Sequence, residues 1–312
     1  AWTREKVQLR VAIFIEHRKT VEQDVMAQLF DRRGVALTQP YLLSESRDGF
    51  QKDPVLARFD DGRAMAAWSV ADGPDSGGAI EVRPINRGGH PSALPLRLAD
   101  STEAARRPAL AVSGDSAVIA WDACCDRGGE RDIVARQLRQ DGPGLAPSGA
   151  SIRINSTIEG SQSRATVVDE PGEGFLIAWQ GPTGEIDAAT GWGVWRIYGQ
   201  VVDFDGCLRG PELLLSNGPG RAHDRAVLQS LGGDHRVLVW RYFLKHQPSG
   251  LAYSVVGPAG ATGPAAALND ERILEQPAAV GSAGGGRALA TWIGLHDRQR
   301  VVTGRYLDLD GD

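Results

Sequence analysis

The stretch Gly174–Gln180, GFLIAWQ, places a glycine before an apolar run that ends in a tryptophan and a polar residue. Five other stretches share this pattern: LRVAIFIE, GRAMAAWS, DSAVIAWD, DHRVLVWR and GRALATWI. We call Trp179 and the equivalent aromatic residues the anchors; the others are Phe14, Trp68, Trp121, Trp240 and Trp292. Neighbouring anchors lie 52 to 61 residues apart. This near-constant spacing indicates one structural unit that is repeated six times.

Each unit is predicted to contain four short strands. In the third repeat these are Pro108–Ser113, Ala117–Asp122, Asp132–Arg139 and Ser151–Asn155, with turns rich in Gly and Asp between them. The run AVIAW is continuously apolar, as expected of a strand buried on both faces. The sequence therefore predicts an all-β fold, a six-bladed β-propeller of four-stranded antiparallel blades in a single domain over 1–312. The predicted repeats are 1–46, 54–100, 108–156, 164–216, 225–270 and 277–312, the last blade being incomplete.

Composition narrows the classes of partner. The net charge is −5, and no basic stripe is present to meet a phosphate backbone, so nucleic-acid binding is disfavoured. No apolar run approaches about 18 residues, so membrane insertion is not expected. The opening AWTREK has no initiator Met, which favours a processed product or a fragment. Three cysteines allow at most one internal disulfide and leave the redox compartment open: Cys124, Cys125 and Cys207.

The units resemble a repeat found in large secreted or surface-attached bacterial proteins. That repeat combines N-x-T-x-x-G-x-Q, a G-apolar-W strand and I-x-A-Q-x-[FL]-D-x-x-G. The matching positions are Asn155, Thr157, Gly160, Gln162, Gly174, Trp179, Ala27, Gln28, Leu29, Asp31 and Gly34. Arg164 and Arg225 stand where Pro is usual. The resemblance implies a propeller-like module in the extracellular space or cell envelope, and it brings no catalytic residues with it.

Loops that join second to third strands are the predicted place for chemistry. The longest, residues 181–195, holds Trp192 and Trp195 beside Asp187, and we predict that these three residues bind a ligand such as a sugar. The alternative is that the indoles fill the rim of the fold. The same class of loop holds His17, His246 and His296, which are predicted to belong to a ring of titratable groups around the axis or else to be solvated polar residues.

Acidic turns are weak candidates for calcium. Alternate carboxylates resemble the opening of a calcium loop at Asp203 and Asp205 and again at Asp308, Asp310 and Asp312. The closing bidentate acid is not evident, so an ordinary turn is the favoured interpretation. No other metal or cofactor is predicted, because zinc-site spacing, HExxH, GxSxG and phosphate-loop motifs are all missing.

The repeated residues are all explained by packing and turns. We therefore predict a non-catalytic binding or structural propeller module of a secreted or cell-surface bacterial protein, with a carbohydrate or protein ligand. The alternative is a propeller-fold carbohydrate-active enzyme of the glycosidase type, with its site at the axial mouth. A third possibility is an architectural spacer within a longer surface protein.

Overall fold

The computed structural model describes residues 10–18, 22–31, 33–45, 49–73, 77–99, 103–124, 129–188, 190–218, 220, 222–232, 235–244, 247–257, 260, 262–269, 279–284, 286–296 and 299–308. For residues 10–11, 14–18, 22, 247–249 and 295–296 it describes the backbone only. The chain divides into two compact units, Ala1–Cys124 with Arg136–Ala150 and Cys125–Ala135 with Ser151–Asp312.

The first two repeats form one seven-stranded sheet in the first unit. Its strands are β1 (Arg10–Arg18), β2 (Glu22–Phe30), β3 (Tyr41–Leu42), β4 (Phe50–Arg58), β5 (Ala64–Ala71), β6 (Ala79–Ile85) and β7 (Leu96–Ala99). They run in the order β1-β2-β4-β5-β6-β7, with β3 also paired to β2. A single parallel bridge, Gln23 to Phe50, joins the two repeats.

The third repeat is a four-stranded sheet in the order β11-β10-β9-β8. The strands are β8 (Arg106–Ser113), β9 (Ser116–Cys124), β10 (Arg131–Asp141) and β11 (Gly144–Arg153). The last strand begins at Gly144, earlier than the predicted Ser151, because a tight turn at Gly142 and Pro143 lets pairing resume at once.

The second unit contains the remaining repeats. The fourth and fifth form an eight-stranded sheet of β12 (Ser163–Glu170), β13 (Gly174–Ile186), β14 (Gly193–Val202), β15 (Leu208–Leu214), β16 (Ala222–Ser230), β17 (Arg236–Leu244), β18 (Gln247–Val256) and β19 (Ala266–Ala267). The sixth is a three-stranded sheet of β20 (Ala279–Gly284), β21 (Arg287–His296) and β22 (Gln299–Asp308). The second to fifth repeats thus each contain four antiparallel strands. Among the described residues there is no α-helix, hence none that is long and apolar enough to cross a membrane.

The anchors lie in the second strand of each repeat and are buried. Trp68, Trp121, Trp179 and Trp240 are 0% exposed, and Trp292 is 6% exposed. Within each unit an anchor packs on residues of the preceding repeat. Trp240, for example, shares a core cluster with Leu176, Ala178 and Ile197. Trp68, Trp240 and Trp292 therefore pack between repeats, as predicted; the side chain of Phe14 lies outside the described part of the chain.

Two polar residues of the repeat motif are buried and hydrogen-bonded. Asn155 accepts from the backbone N–H of Ile133 at 2.7 Å and donates to Asp132 Oδ1 at 2.8 Å. Gln162 Oε1 accepts from Trp179 Nε1 at 3.2 Å, so the anchor indole is satisfied without water. Both positions therefore serve the fold, because a buried polar group must be paired to avoid a large desolvation penalty.

Candidate functional site

A β-bulge recurs at the start of the first strand in four repeats. Its central residue, which we call the bulge residue, has a positive φ of 50° to 59° in each: Asp53, Arg107, Arg164 and Arg225. The pairing register shifts at the same points, between Lys52 and Val55 and at three equivalent places. Residues with bulky side chains rarely adopt this conformation, and each instance costs about 1–3 kcal/mol. Bulges re-aim side chains and are frequent beside active sites.

The bulge corrects the alignment of the repeats. Arg164 and Arg225 do not replace a proline, because they occupy the bulge position and are followed by Ala165 and Ala226. In the second repeat Pro54 follows the bulge residue in the same way. Three of the bulge residues lie 15 positions before their anchor, and Arg107 lies 14 positions before Trp121. Sequence reasoning missed the bulge residues because a bulge depends on the pairing between two strands, which no local residue pattern shows.

In the first unit the bulge residues face the polar residue that follows each anchor. The carboxylate of Asp122 is completely buried and accepts from Arg107 Nη1 at 3.0 Å, with Arg106 Nε at 3.8 Å. One repeat earlier, the exposed Asp53 lies 3.4 Å from the hydroxyl of Ser69. Charged groups therefore cluster where the first strands of these two repeats begin.

In the second unit the same position holds an ion cluster. Asp224 accepts from Arg241 through both oxygens, at 2.7 Å from Nε and 2.6 Å from Nη2. Arg225 Nε lies 3.9 Å from the same carboxylate. The backbone N–H of Arg225 donates to Gln180 Oε1 at 2.9 Å, which ties the bulge to the residue after Trp179. Two hydrogen bonds from Arg241 fix the orientation of the Asp224 carboxylate.

A long hairpin stands beside this cluster. Residues 181–195, predicted as a loop, instead extend β13 and β14 with pairs at Pro182–Trp195 and Ile186–Gly193. A parallel bridge from Trp195 to Ala222 places the hairpin next to β16, which carries Asp224. Burial lowers the pKa of Arg196 in this hairpin, and nearby Tyr198 and Glu185 oppose that effect.

The predicted ligand residues of the hairpin have different surroundings. Trp192 is 58% exposed at the tip, and Trp195 is half-buried against the neighbouring repeat. Asp187 accepts from the N–H and hydroxyl of Thr190 at 2.9 and 2.7 Å, so one of its oxygens holds the turn. Trp192 is thus the residue of the three with an indole open to a ligand.

The predicted histidines remain predictions. His17 and His296 lie at strand ends, paired with Gln23 and Gln299, and only their backbone is described; His246 lies outside the described residues. The structure instead buries His223, whose Nδ1 is 2.8 Å from Ser216 Oγ and whose ring packs on Trp240. This histidine occupies the position of Gln162 in the preceding repeat, next to the anchor, and it serves packing.

Of the calcium candidates, Asp203 behaves as a turn residue. Asp203 Oδ1 accepts from the N–H groups of Asp205 and Cys207 at 2.9 and 2.8 Å, and its Oδ2 accepts from Arg209. Asp205 and Asp308 are exposed, and Asp310 and Asp312 lie outside the described residues. Within the described part of the chain, no three His, Cys, Asp or Glu side chains are grouped as metal ligands. The local hydrogen bonds of Asp203 argue against calcium at this turn.

Comparison with known proteins identifies solved structures with a similar fold. No protein-family model and no curated protein sequence matches. A protein of unknown function from Dyadobacter fermentans has a TM-score of 0.60 at 13% identity and covers 96% of this chain and 91% of its own. The GH93 α-L-arabinofuranosidase of Fusarium graminearum, solved with arabinobiose, has a TM-score of 0.58 at 11% identity over 97% and 93%. The Penicillium chrysogenum α-L-arabinanase, also with arabinobiose, has a TM-score of 0.53 at 11% identity over 97% and 93%.

These neighbours correct the functional prediction. Two similar structures with a named activity are glycoside hydrolases, which overturns the prediction of a non-catalytic binding or structural module and favours its alternative. At 11% identity the likeness extends to the fold and not to individual residues. The chain therefore has a propeller-like all-β fold similar to that of glycoside hydrolases.

Proposed function

We propose that the protein is a propeller-fold carbohydrate-active enzyme of the glycoside hydrolase class. We further propose that each of the six repeats is one blade, which is supported by the four antiparallel strands of the second to fifth repeats. The site is proposed in the second unit, at the end of the fourth and fifth repeats where their first strands begin. The observation that carries this proposal is the strained bulge there, which presents Arg164 and Arg225 and also recurs in two repeats of the first unit.

Hydrolysis of a glycosidic bond needs a carboxylic acid to protonate the leaving oxygen and a carboxylate to act as base or nucleophile. Asp224 is suited to the second role, because two hydrogen bonds from Arg241 fix its orientation while its side chain stays 19% exposed.

The test is hydrolysis of defined glycans. Because two neighbours are named as arabinan-acting enzymes bound to arabinobiose, arabinan and arabino-oligosaccharides are the first substrates, followed by a panel of aryl glycosides. Released sugars are separated by anion-exchange chromatography. We expect Asp224→Asn to lower kcat by about 100-fold or more. Asp141→Asn, at an exposed turn, is the matched control and should retain full activity.

An inactive wild-type protein on the whole panel, or full activity in Asp224→Asn, would refute the catalytic proposal. Circular dichroism of each variant separates loss of activity from loss of fold. An extracellular or cell-envelope location is part of the proposal, because polymeric glycans are met outside the cytoplasm. Secretion of the full-length gene product, assayed by fractionation, tests that part separately.

Trp192 is proposed as the platform on which a sugar ring stacks. Its indole is 58% exposed at the tip of the hairpin beside Asp224. Trp192→Ala should raise KM about tenfold, equivalent to about 1.4 kcal/mol, and leave kcat nearly unchanged, because the residue binds substrate without touching the reacting atoms. An unchanged KM would show that the exposed indole has no part in binding.

A further inference from the structure

The bulge residues of the second unit indicate which chemical group the bound sugar carries. We infer that the site selects a carbohydrate with a carboxylate group, such as a uronic acid, and that Arg164 and Arg225 receive this group. The inference rests on the proposed carbohydrate-active function, which it makes more specific.

The first argument is conformational. Arg164 and Arg225 have φ angles of 59° and 50°. At these angles arginine bears a steric cost that glycine would not bear. Arg107 adopts the same conformation one repeat earlier. A strained backbone persists where the surrounding structure enforces it, and it clusters at ligand-binding positions. We therefore infer that the role of the bulge is to present the arginine side chain.

The second argument is placement. The first strands of the fourth and fifth repeats are adjacent, since Leu228 N donates to Thr166 Oγ1 at 3.3 Å and Arg225 N donates to Gln180 Oε1 at 2.9 Å. The two bulge residues therefore start neighbouring strands at the same end of the sheet. Arg225 is 28% exposed and Arg164 is half-buried, so both side chains reach solvent on this rim.

The third argument is chemical. Arg241 holds the Asp224 carboxylate in a two-pronged arrangement beside Arg225, so this rim already recognises a carboxylate through guanidinium groups. A planar guanidinium matches a carboxylate with two parallel hydrogen bonds, and it does not match a neutral hydroxyl in that way. Neighbouring arginines also raise the local positive potential, which draws an anionic sugar to the rim.

The experiment compares an acidic with a neutral disaccharide by isothermal titration calorimetry. We expect digalacturonate to bind more tightly than galactobiose and to lose affinity as salt is raised. Arg225→Gln and Arg164→Gln should each weaken digalacturonate binding about tenfold or more, and change galactobiose binding less than about twofold. Arg97→Gln, which removes a 55% exposed arginine elsewhere, is the matched control and should leave both affinities unchanged.

Arg225→Gly is a second test variant that we expect to retain the fold. Removing the strained side chain should leave the thermal midpoint equal to or above that of the wild type and still weaken digalacturonate binding. Equal affinity for the two disaccharides, or unchanged binding in the glutamine and glycine variants, overturns the inference. Hydrolysis of neutral arabinan with no acidic preference overturns it while the catalytic proposal stands. Selective digalacturonate binding without hydrolysis of any glycan upholds it while the catalytic proposal fails.

Discussion

Trp179 and Trp192 belong to the same hairpin but have opposite surroundings. Trp179 is completely buried, and its Nε1 donates to Gln162, whereas Trp192 is 58% exposed. We expect Trp179→Ala to lower the free energy of unfolding by about 3–5 kcal/mol, because a large cavity opens in the core and Gln162 loses its partner. Urea denaturation followed by circular dichroism measures this change.

Trp192→Ala is the control for that measurement. An exposed substitution away from the core changes stability by less than about 0.5 kcal/mol. Equal losses in the two variants would mean that the packing role assigned to the anchors is wrong.

The contribution of Asp203 to the stability of the protein depends on pH. Burial raises the pKa of its carboxyl, but hydrogen bonds from the N–H groups of Cys207 and Asp205 and from Arg209 outweigh burial, so the pKa lies below its ordinary value of 3.8. A lowered pKa in the folded state stabilises the protein above the unfolded pKa, and that contribution disappears as pH falls below about 3.8.

Asp203→Asn keeps an acceptor for the turn but loses the charge that faces Arg209. We expect it to be about 1 kcal/mol less stable at pH 7, a difference that shrinks as the pH approaches 3. Urea denaturation of both proteins at pH 7, 5 and 3 gives the comparison. A difference that is constant with pH would show that the charge of Asp203 has no role.

Strand β13 begins at a glycine that no other residue can replace without displacing its neighbour. Gly174 has a φ of +134°, and a Cβ there would lie 2.1 Å from the carbonyl oxygen of Val202. Gly172, in the preceding turn, has a φ of +76° with nothing within 4 Å. We expect Gly172→Ala to cost about 1–2 kcal/mol from backbone strain alone.

Gly174→Ala should cost more than about 3 kcal/mol, because backbone strain adds to the clash with β14. Thermal and urea unfolding of the two variants separate these contributions. Similar losses for both glycines would contradict the close strand contact at Gly174.

The strands were predictable because their signal is local. The run AVIAW is continuously apolar and forms the fully buried middle of β9, as its pattern indicates. The bulge at Arg164 was not predictable, because it depends on the pairing register between two strands, which no local residue pattern shows. His223 lies 17 positions before its anchor, as Gln162 does, but its burial and its contact with Ser216 depend on the packing of the fold. The candidate site therefore depends on contacts between residues that are distant in the sequence, whereas the core strands follow from local runs of apolar residues.

Burial is distributed similarly in the third, fourth and fifth repeats. The second strands β9 and β17 are buried along almost their whole length. The fourth strands β11 and β15 contain no buried residue and pair on one side only. Charged residues gather at the ends of first strands. Packing and chemistry are thus carried by different parts of each repeat, which lets the charged end vary without loss of the core.

This distribution predicts a gradient of local stability in every repeat. Backbone amides in buried, doubly paired strands open only through large unfolding events, whereas those in exposed edge strands open locally. We expect amides of β5, β9, β13 and β17 to exchange slowest, and those of β11 and β15 to exchange at least tenfold faster. Hydrogen–deuterium exchange with mass spectrometry of peptides from each strand measures the rates. Equal protection of β15 and β13 would show that stability does not follow burial within a repeat. It would place the fourth strand in the same cooperative unit as the anchor strand.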